Sequence, residues 1–236
     1  MFLLNFKRKK IASITCNGFT LVELLVVVAI MFIMTSVVLF NYNRFDDNML
    51  LNNFAYDLSL TIRQAQVYGV AVRENPIGGN IAQNISGSSH QQNFGNAYGV
   101  HFDVSSPSEF KLFLDSGGGA DGIFQPSGAS SDAVLNSYSF QRGIKIKSLC
   151  VNNIPSISGV CTPVSTLDIS FLRPNPESRM YALDADGIVQ CNSGALGPYC
   201  SSGTIVLQDA GDTAEKAVNV SLTGQISVQP VPISTP

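Results

Sequence analysis

The sequence predicts an α+β fold in which one long N-terminal helix packs on antiparallel β-sheet. Three observations lead to this prediction. Residues 19–40 form an apolar run, apolar side chains recur every three or four positions over residues 41–69, and short β-branched stretches separated by Gly, Ser, Asn and Pro fill most of residues 70–229. The chain of 236 residues is long enough for one sizeable domain with an appendage.

The apolar run is long enough to cross a membrane. As a helix that rises about 1.5 Å per residue, residues 19–40 reach about 33 Å, and the hydrocarbon core of a bilayer is about 30 Å thick. Residues 7–10 are all basic and no acidic residue precedes the run, so the chain after residue 40 is expected on the non-cytoplasmic side. We therefore predict a signal-anchor helix. A cleaved secretory signal peptide fits less well. The apolar region of such a peptide is shorter than residues 19–40 and ends at a small-x-small cleavage site, which this run lacks.

Glu23 is the only charged residue of the run. A charge at the centre of a bilayer costs about 2.5–3.5 kcal/mol, and less near the interface. One interpretation is that the Glu23 carboxylate lies within a turn of the cytoplasmic surface. The other is that it meets a positive partner in an assembly, since cleavage between Gly18 and Phe19 would create an α-ammonium at Phe19.

The hexapeptide GFTLVE, residues 18–23, follows a short basic leader. It resembles the class III signal of type IV pilins and type II secretion pseudopilins. The resemblance implies a pilin-like fold, removal of leader residues 1–18 by a prepilin peptidase, N-methylation of Phe19, and a role for Glu23 as the docking carboxylate. It also implies an inner-membrane subunit that crosses once and carries an extracytoplasmic head. Its partners would be membrane lipid, an inner-membrane assembly platform, and other pilin or pseudopilin subunits met through the N-terminal helix in an extracellular or periplasmic filament.

Residues 41–69 are predicted to continue the helix and to pack one face on the head. No proline lies between residues 19 and 69, so a single helix of about 75 Å is allowed, and Gly69 supplies a stop. The apolar positions with helical spacing are Leu51, Phe54, Ala55, Leu58, Ile62 and Ala65.

Two further stretches resemble H-type pseudopilins and FimT-like minor pilins. In residues 50–72 an Arg-x-Ala-Gln-like run closes the helix, and in residues 217–229 a Thr-Gly turn precedes a last strand. This resemblance implies a minor subunit.

The pattern of the head predicts strands throughout, with a hairpin turn at residues 184–187, DADG. A polar loop at residues 74–96 separates helix from sheet, and the tail, residues 230–236, is expected to be extended and flexible. The predicted strands lie at 97–104, 109–115, 142–149, 166–173 and 203–209, and on both sides of the DADG turn within residues 179–190.

Cys150, Cys161, Cys191 and Cys200 form two close pairs in the predicted head. Three connectivities are possible, and loops of about ten residues make Cys150–Cys161 and Cys191–Cys200 the local choice. Reduced or metal-bound thiols are the alternative. Zinc sites usually include a C-x₂₋₄-C knuckle, which neither pair has, and export to an oxidising compartment favours disulfides.

Composition and motifs argue against an enzyme, and no cofactor is predicted. His90 lies in a polar loop and His101 in a strand, and no metalloprotease, nucleophile-elbow or phosphate-loop motif is present. The leader holds four of the fourteen basic residues, so residues 19–236 carry ten against seventeen acidic ones, a net charge of −7. This charge disfavours binding to nucleic acid.

Two weaker hypotheses concern ligands. Asp115 and Asp121 are calcium candidates, although their segment lacks the alternating acids of a calcium loop and turn chemistry explains them as well. Lys145 and Lys147 share one strand face that could meet DNA, with Arg142 expected on the opposite face. A solvated face is the simpler interpretation of two lysines on an acidic head.

Together these features predict a minor pilin-like subunit, cut by prepilin peptidase and assembled into a type IV pilus or a type II secretion pseudopilus. Two alternatives stay open. One is a tip adhesin or DNA-uptake receptor that the pilin machinery delivers. The other is a signal-anchored membrane protein whose leader is never cut.

Overall fold

The computed structural model describes residues 18–71, 96–116, 121–128, 131–153, 161–192 and 200–231, with the side chains of residues 40–47 left aside. The basic leader, His90 and most of the tail lie outside the described residues. The chain divides into two compact units, Met1–Phe45 and Asp46–Pro236. Each unit is considered by itself.

A single helix, α1, spans Leu21–Val70 and confirms the predicted long N-terminal helix. In the second unit its buried positions follow the predicted spacing, because residues three or four apart share one face. Phe54 is half-buried at the edge of that face. The fully buried helix side chains are Leu51, Ala55, Leu58, Ile62 and Ala65.

Gly69 does not end the helix, which continues to Val70. Its place is explained by packing. A Cβ atom on Gly69 would lie 2.3 Å from the carbonyl oxygen of Phe171, so only glycine lets the last turn of α1 approach this backbone so closely.

The head is built from eleven strands in the described ranges: β1 Ala97–Asp103, β2 Glu109–Asp115, β3 Ala133–Ser139, β4 Lys145–Asn153, β5 Thr162–Val164, β6 Thr166–Phe171, β7 Ser178–Leu183, β8 Val189–Asn192, β9 Cys200–Gln208, β10 Glu215–Ser221 and β11 Ile226–Pro230. They form two antiparallel sheets, ordered β3-β2-β1-β6-β7-β8 and β11-β10-β9-β4-β5. The α+β class with antiparallel sheet is therefore confirmed. Strands β3 and β5 were not predicted, and neither was the division into two sheets.

One hydrophobic core joins the second half of α1 to both sheets. Its largest fully buried side chains include Leu58 from the helix, Phe102 and Phe171 from the larger sheet, and Leu149 from the smaller one. The sheets are thus covered on their inner faces by each other and by α1, as expected for a layered domain.

Gln66 connects the helix to two loops of the head. Its side-chain amide donates to the carbonyl oxygens of Pro176, at 3.0 Å, and Gly224, at 3.1 Å. Gly224 lies in the turn between β10 and β11 and has a φ of 81°. The two stretches that resemble minor pilins, the end of the helix and the closing hairpin, therefore meet through one side chain.

Two disulfides lie in the head. Cys150–Cys161 joins β4 to the residue before β5 within the smaller sheet. Cys191–Cys200 joins β8 of the larger sheet to β9 of the smaller sheet, and both cysteines are buried. The second bond therefore links the two sheets covalently.

Candidate functional site

The candidate site is the N-terminal end of α1, where Thr20 and Glu23 cap the helix reciprocally. The Glu23 N–H donates to the Thr20 hydroxyl at 3.2 Å, and the Thr20 N–H donates to Glu23 Oε2 at 3.1 Å. The Thr20 hydroxyl also donates to the same carboxylate oxygen at 3.1 Å. These contacts form a capping box, which satisfies N–H groups that a helix start otherwise leaves without partners.

The capping box shows a property of Glu23 that the sequence reasoning missed. The Thr-x-x-Glu pattern of residues 20–23 is typical of a helix start, and this signal could have predicted the cap. In the first unit the carboxylate is turned back to the N-terminal end of the helix, where the helix dipole favours a negative charge. The Glu23 carboxylate is hydrogen-bonded to Thr20, the residue that follows Phe19.

The peptide bond between Gly18 and Phe19 lies outside the helix. Residues 18–20 have no regular secondary structure, and 88% of the Phe19 surface is exposed. A Cβ atom on Gly18 would meet nothing within 4 Å. Within the described residues, packing therefore does not require glycine at position 18.

After the cap the helix is apolar and exposed. Leu21–Leu39 is long and apolar enough to cross a membrane, by length and composition, and none of it is buried. The polar hydroxyl of Thr35 is satisfied within the helix, because it donates to the Met31 carbonyl oxygen at 2.7 Å. Apolar side chains such as Phe32, which is 73% exposed, need lipid or protein around them.

The calcium candidates do not converge into a metal site. Within the described ranges, no group of three or more His, Cys, Asp or Glu side chains could hold a metal ion. Asp121 accepts the Ile123 N–H at 2.9 Å and a Gln125 amide hydrogen, as an ordinary turn aspartate does. Asp115 accepts the Gly122 N–H at 2.7 Å. The turn interpretation therefore explains the contacts of Asp121, whereas Asp115 is a buried strand residue that reaches Gly122 seven positions later.

The two lysines of the DNA hypothesis are paired with acids. Lys145 contacts Asp212 at 3.2 Å, and Lys147 forms an ion pair with Glu215 at the start of β10. The prediction that Arg142 shares their strand is wrong. Arg142 precedes β4 in a turn with a φ of 57°. This face thus presents matched charges, which reduces its attraction for phosphate.

His101 lies in β1, opposite Asp168 of β6, and its Nδ1 atom is 2.5 Å from Asp168 Oδ1. Asp168 is almost completely buried, and burial raises the pKa of its carboxyl although the hydrogen bond to His101 opposes the change. The pair joins two adjacent strands. The other carboxylate oxygen of Asp168 accepts the Phe124 N–H. The contacts of His101 and Asp168 are therefore those of a structural pair.

Comparison with known proteins identifies the N-terminal segment. Residues 15–39 match the family model described as the prokaryotic N-terminal methylation motif. No curated protein and no solved structure matches the chain. The motif indicates processing by prepilin peptidase, and the α+β fold is consistent with a pilin-like protein. The motif points to assembly with other pilin subunits, and the apolar N-terminal helix fits membrane anchoring.

Proposed function

We propose that the chain is a minor, H-type or FimT-like pilin subunit that enters a type IV pilus or a type II secretion pseudopilus. Residues 1–18 are removed as the leader, Phe19 becomes the methylated N-terminus, and residues 19–40 and 41–69 form the assembly and head-packing parts of the helix. The head follows at residues 70–229 and the tail at 230–236. The supporting observation is the capped end of α1, with one carboxylate followed by an exposed apolar span.

The capped end explains how one charge can serve assembly. When apolar helices pack together, the Glu23 carboxylate leaves water, and burial without a positive partner is costly. Cleavage supplies an ammonium at Phe19. Because the capping box already directs Glu23 to the N-terminal end of its own helix, the carboxylate lies at the level where a neighbouring subunit would present that ammonium. Pairing would then fix the axial register of one helix against the next.

Mass spectrometry of the N-terminal peptide tests the proposal. Native envelope and sheared-filament fractions should contain a chain that begins at N-methylated Phe19. Presence of this chain in sheared filaments would identify a filament subunit. A chain that still begins at Met1 in cells with an active peptidase would contradict the proposal and leave a signal-anchored membrane protein.

Substitution of Glu23 separates docking from capping. Glu23→Ala should leave membrane insertion and cleavage intact but lower incorporation into filaments by about tenfold or more, because breaking a buried charge pair costs about 3 kcal/mol or more. Quantitative immunoblots of sheared and envelope fractions measure this ratio.

Glu23→Gln is the matched control, because a glutamine at this position can still complete a capping box but carries no charge. If the charge docks the subunit, Glu23→Gln is expected to fail as Glu23→Ala does. Normal incorporation of Glu23→Gln would assign the carboxylate to capping alone and remove its role in docking.

A further inference from the structure

The loop between β2 and β3 contains a segment, residues 121–125, that is held by aspartates. Four consecutive backbone N–H groups each donate to the carboxylate of a different aspartate. The contacts are Gly122 to Asp115 at 2.7 Å, Ile123 to Asp121 at 2.9 Å, Phe124 to Asp168 at 3.1 Å and Gln125 to Asp132 at 2.8 Å. Acids from β2, from β6 and from the loop itself therefore meet at one short segment.

Asp115 occupies the most costly position among them. Only 1% of its surface is exposed, and its Oδ1 atom has no hydrogen-bond partner. The other oxygen, Oδ2, accepts the Gly122 N–H. A buried charge with half its acceptor capacity unused is unfavourable, because the lost hydration is only partly replaced.

Gly122 fixes the geometry of this contact. Its φ is 84°, and a Cβ atom there would lie 2.5 Å from the hydroxyl of Ser170. The Ser170 hydroxyl is also buried without a partner. The segment thus lies tightly against β6 at Gly122.

The charges around Asp115 add to the cost of ionising it. The pKa of Asp115 is raised to about 7, chiefly by burial and further by the nearby carboxylates of Asp132 and Asp121, against the opposing effects of the Gly122 N–H and the Arg179 guanidinium. Since the net change is upward, the hydrogen bond and the arginine do not compensate for the burial.

The other titratable groups at the segment have direct partners or lie further away. Asp168 is paired with His101 at 2.5 Å. Lys111 has its Nζ atom 6.0 Å from the centre of the Phe124 ring. The pKa of Tyr181 is raised by partial burial and by the charges of Asp168 and Asp121. Asp115 is the one of the four aspartates at the segment that has a buried carboxylate oxygen without a hydrogen-bond partner.

We propose that Asp115 is a proton-controlled latch of residues 121–125, which holds the segment firmly while its carboxyl is neutral and releases it when the carboxyl ionises. The sign follows from linkage. A folded-state pKa near 7 lies above the ordinary value of 3.8, so the closed form keeps a proton that the open form has lost. The stabilisation is complete below about pH 4 and is lost as pH rises through 7.

Release would change the surface of the head. The Phe124 ring is 9% exposed and packs against Phe113, at 5.2 Å between ring centres, and against His101, at 4.6 Å. Loss of the hydrogen bond to Gly122 frees the chain two residues before this ring. The latch therefore couples the pH outside the membrane to the exposure of an aromatic side chain.

Hydrogen exchange of the full chain in detergent micelles tests the latch. Exchange of the amides of residues 122–125 is followed by mass spectrometry and converted to protection factors, which removes the intrinsic effect of pH. Protection should fall by at least about tenfold between pH 5 and pH 8, because opening becomes more favourable as Asp115 ionises. The variant Asp115→Asn, which stays neutral, should keep its protection at both pH values.

Asp184→Asn is the control, since it removes a carboxylate that accepts backbone N–H groups in the exposed β7–β8 turn. It should leave the wild-type pH profile of residues 122–125 unchanged. A flat wild-type profile, or an equal fall in Asp115→Asn, would overturn the latch. So would calcium-dependent protection in the wild type that Asp115→Asn lacks, because that result would identify a cation site instead.

Discussion

Gly69→Ala is expected to destabilise the head by about 2–3 kcal/mol, although glycine to alanine in an ordinary helix interior stabilises by about 1 kcal/mol. The added Cβ atom would lie 2.3 Å from the Phe171 carbonyl oxygen and 2.8 Å from its carbonyl carbon. Backbone atoms cannot rotate away as a side chain can, so α1 must move off β6. The melting temperature of the head should fall by roughly 5–10 °C.

Near-ultraviolet circular dichroism of the tyrosines follows this unfolding in detergent, without interference from the apolar half of the helix. Gly211→Ala, in the head between β9 and β10, is the control, because a Cβ atom there would meet only ordinary contacts of 3.5 Å or more, and its melting temperature should be close to that of the wild type. A Gly69→Ala variant as stable as the wild type would show that the contact between α1 and β6 relaxes at no cost, and the packing explanation would be wrong.

The contrast at Gly69 shows what the sequence could predict about the helix. Periodicity identified the buried positions Leu51, Ala55, Leu58, Ile62 and Ala65, because helical spacing is set by local geometry. It could not reveal why Gly69 is glycine. That reason lies in Phe171, a residue about a hundred positions later in the chain, and only the packed structure brings the two together.

The sheets were predictable in their local parts only. The hairpin of β7 and β8 and the closing hairpin of β10 and β11 join neighbouring strands through short turns. The first was expected from its turn residues and the second from the resemblance to minor pilins. Strand β3 was missed because it is an edge strand with no regular alternation of buried residues. The pairing of β1 with β6 is non-local, so no turn signal reports it.

The candidate site divides in the same way. Glu23 could be singled out because its anomaly, a charge in an apolar run, is visible in the sequence alone. The segment at residues 121–125 could not be predicted, because Asp168 reaches it from β6 and Asp115 from the end of β2. The sequence showed these aspartates only as isolated acids, and a buried carboxylate is recognised by its surroundings.

Removal of the Cys191–Cys200 disulfide is expected to have the other large effect. The double variant Cys191→Ala/Cys200→Ala should lose about 3–5 kcal/mol, at the upper end of the usual cost of a native disulfide. The bond ties β8 of one sheet to β9 of the other, and its cysteines are 0% and 3% exposed. The variant thus loses three things at once: the constraint on the loop, the covalent link between the sheets, and the packing of two buried sulfur atoms.

Cys150→Ala/Cys161→Ala is the matched control. Its sequence separation of 11 is close to the 9 of the other pair, so loop entropy predicts nearly equal costs of about 3 kcal/mol for the two bonds. This bond lies within one sheet and its cysteines are only half-buried, so we expect a loss of about 2–3 kcal/mol. Equal losses in denaturant titrations of the two variants would show that loop closure alone accounts for both bonds. A larger loss for the pair between the sheets would show that this disulfide stabilises the packing of one sheet on the other.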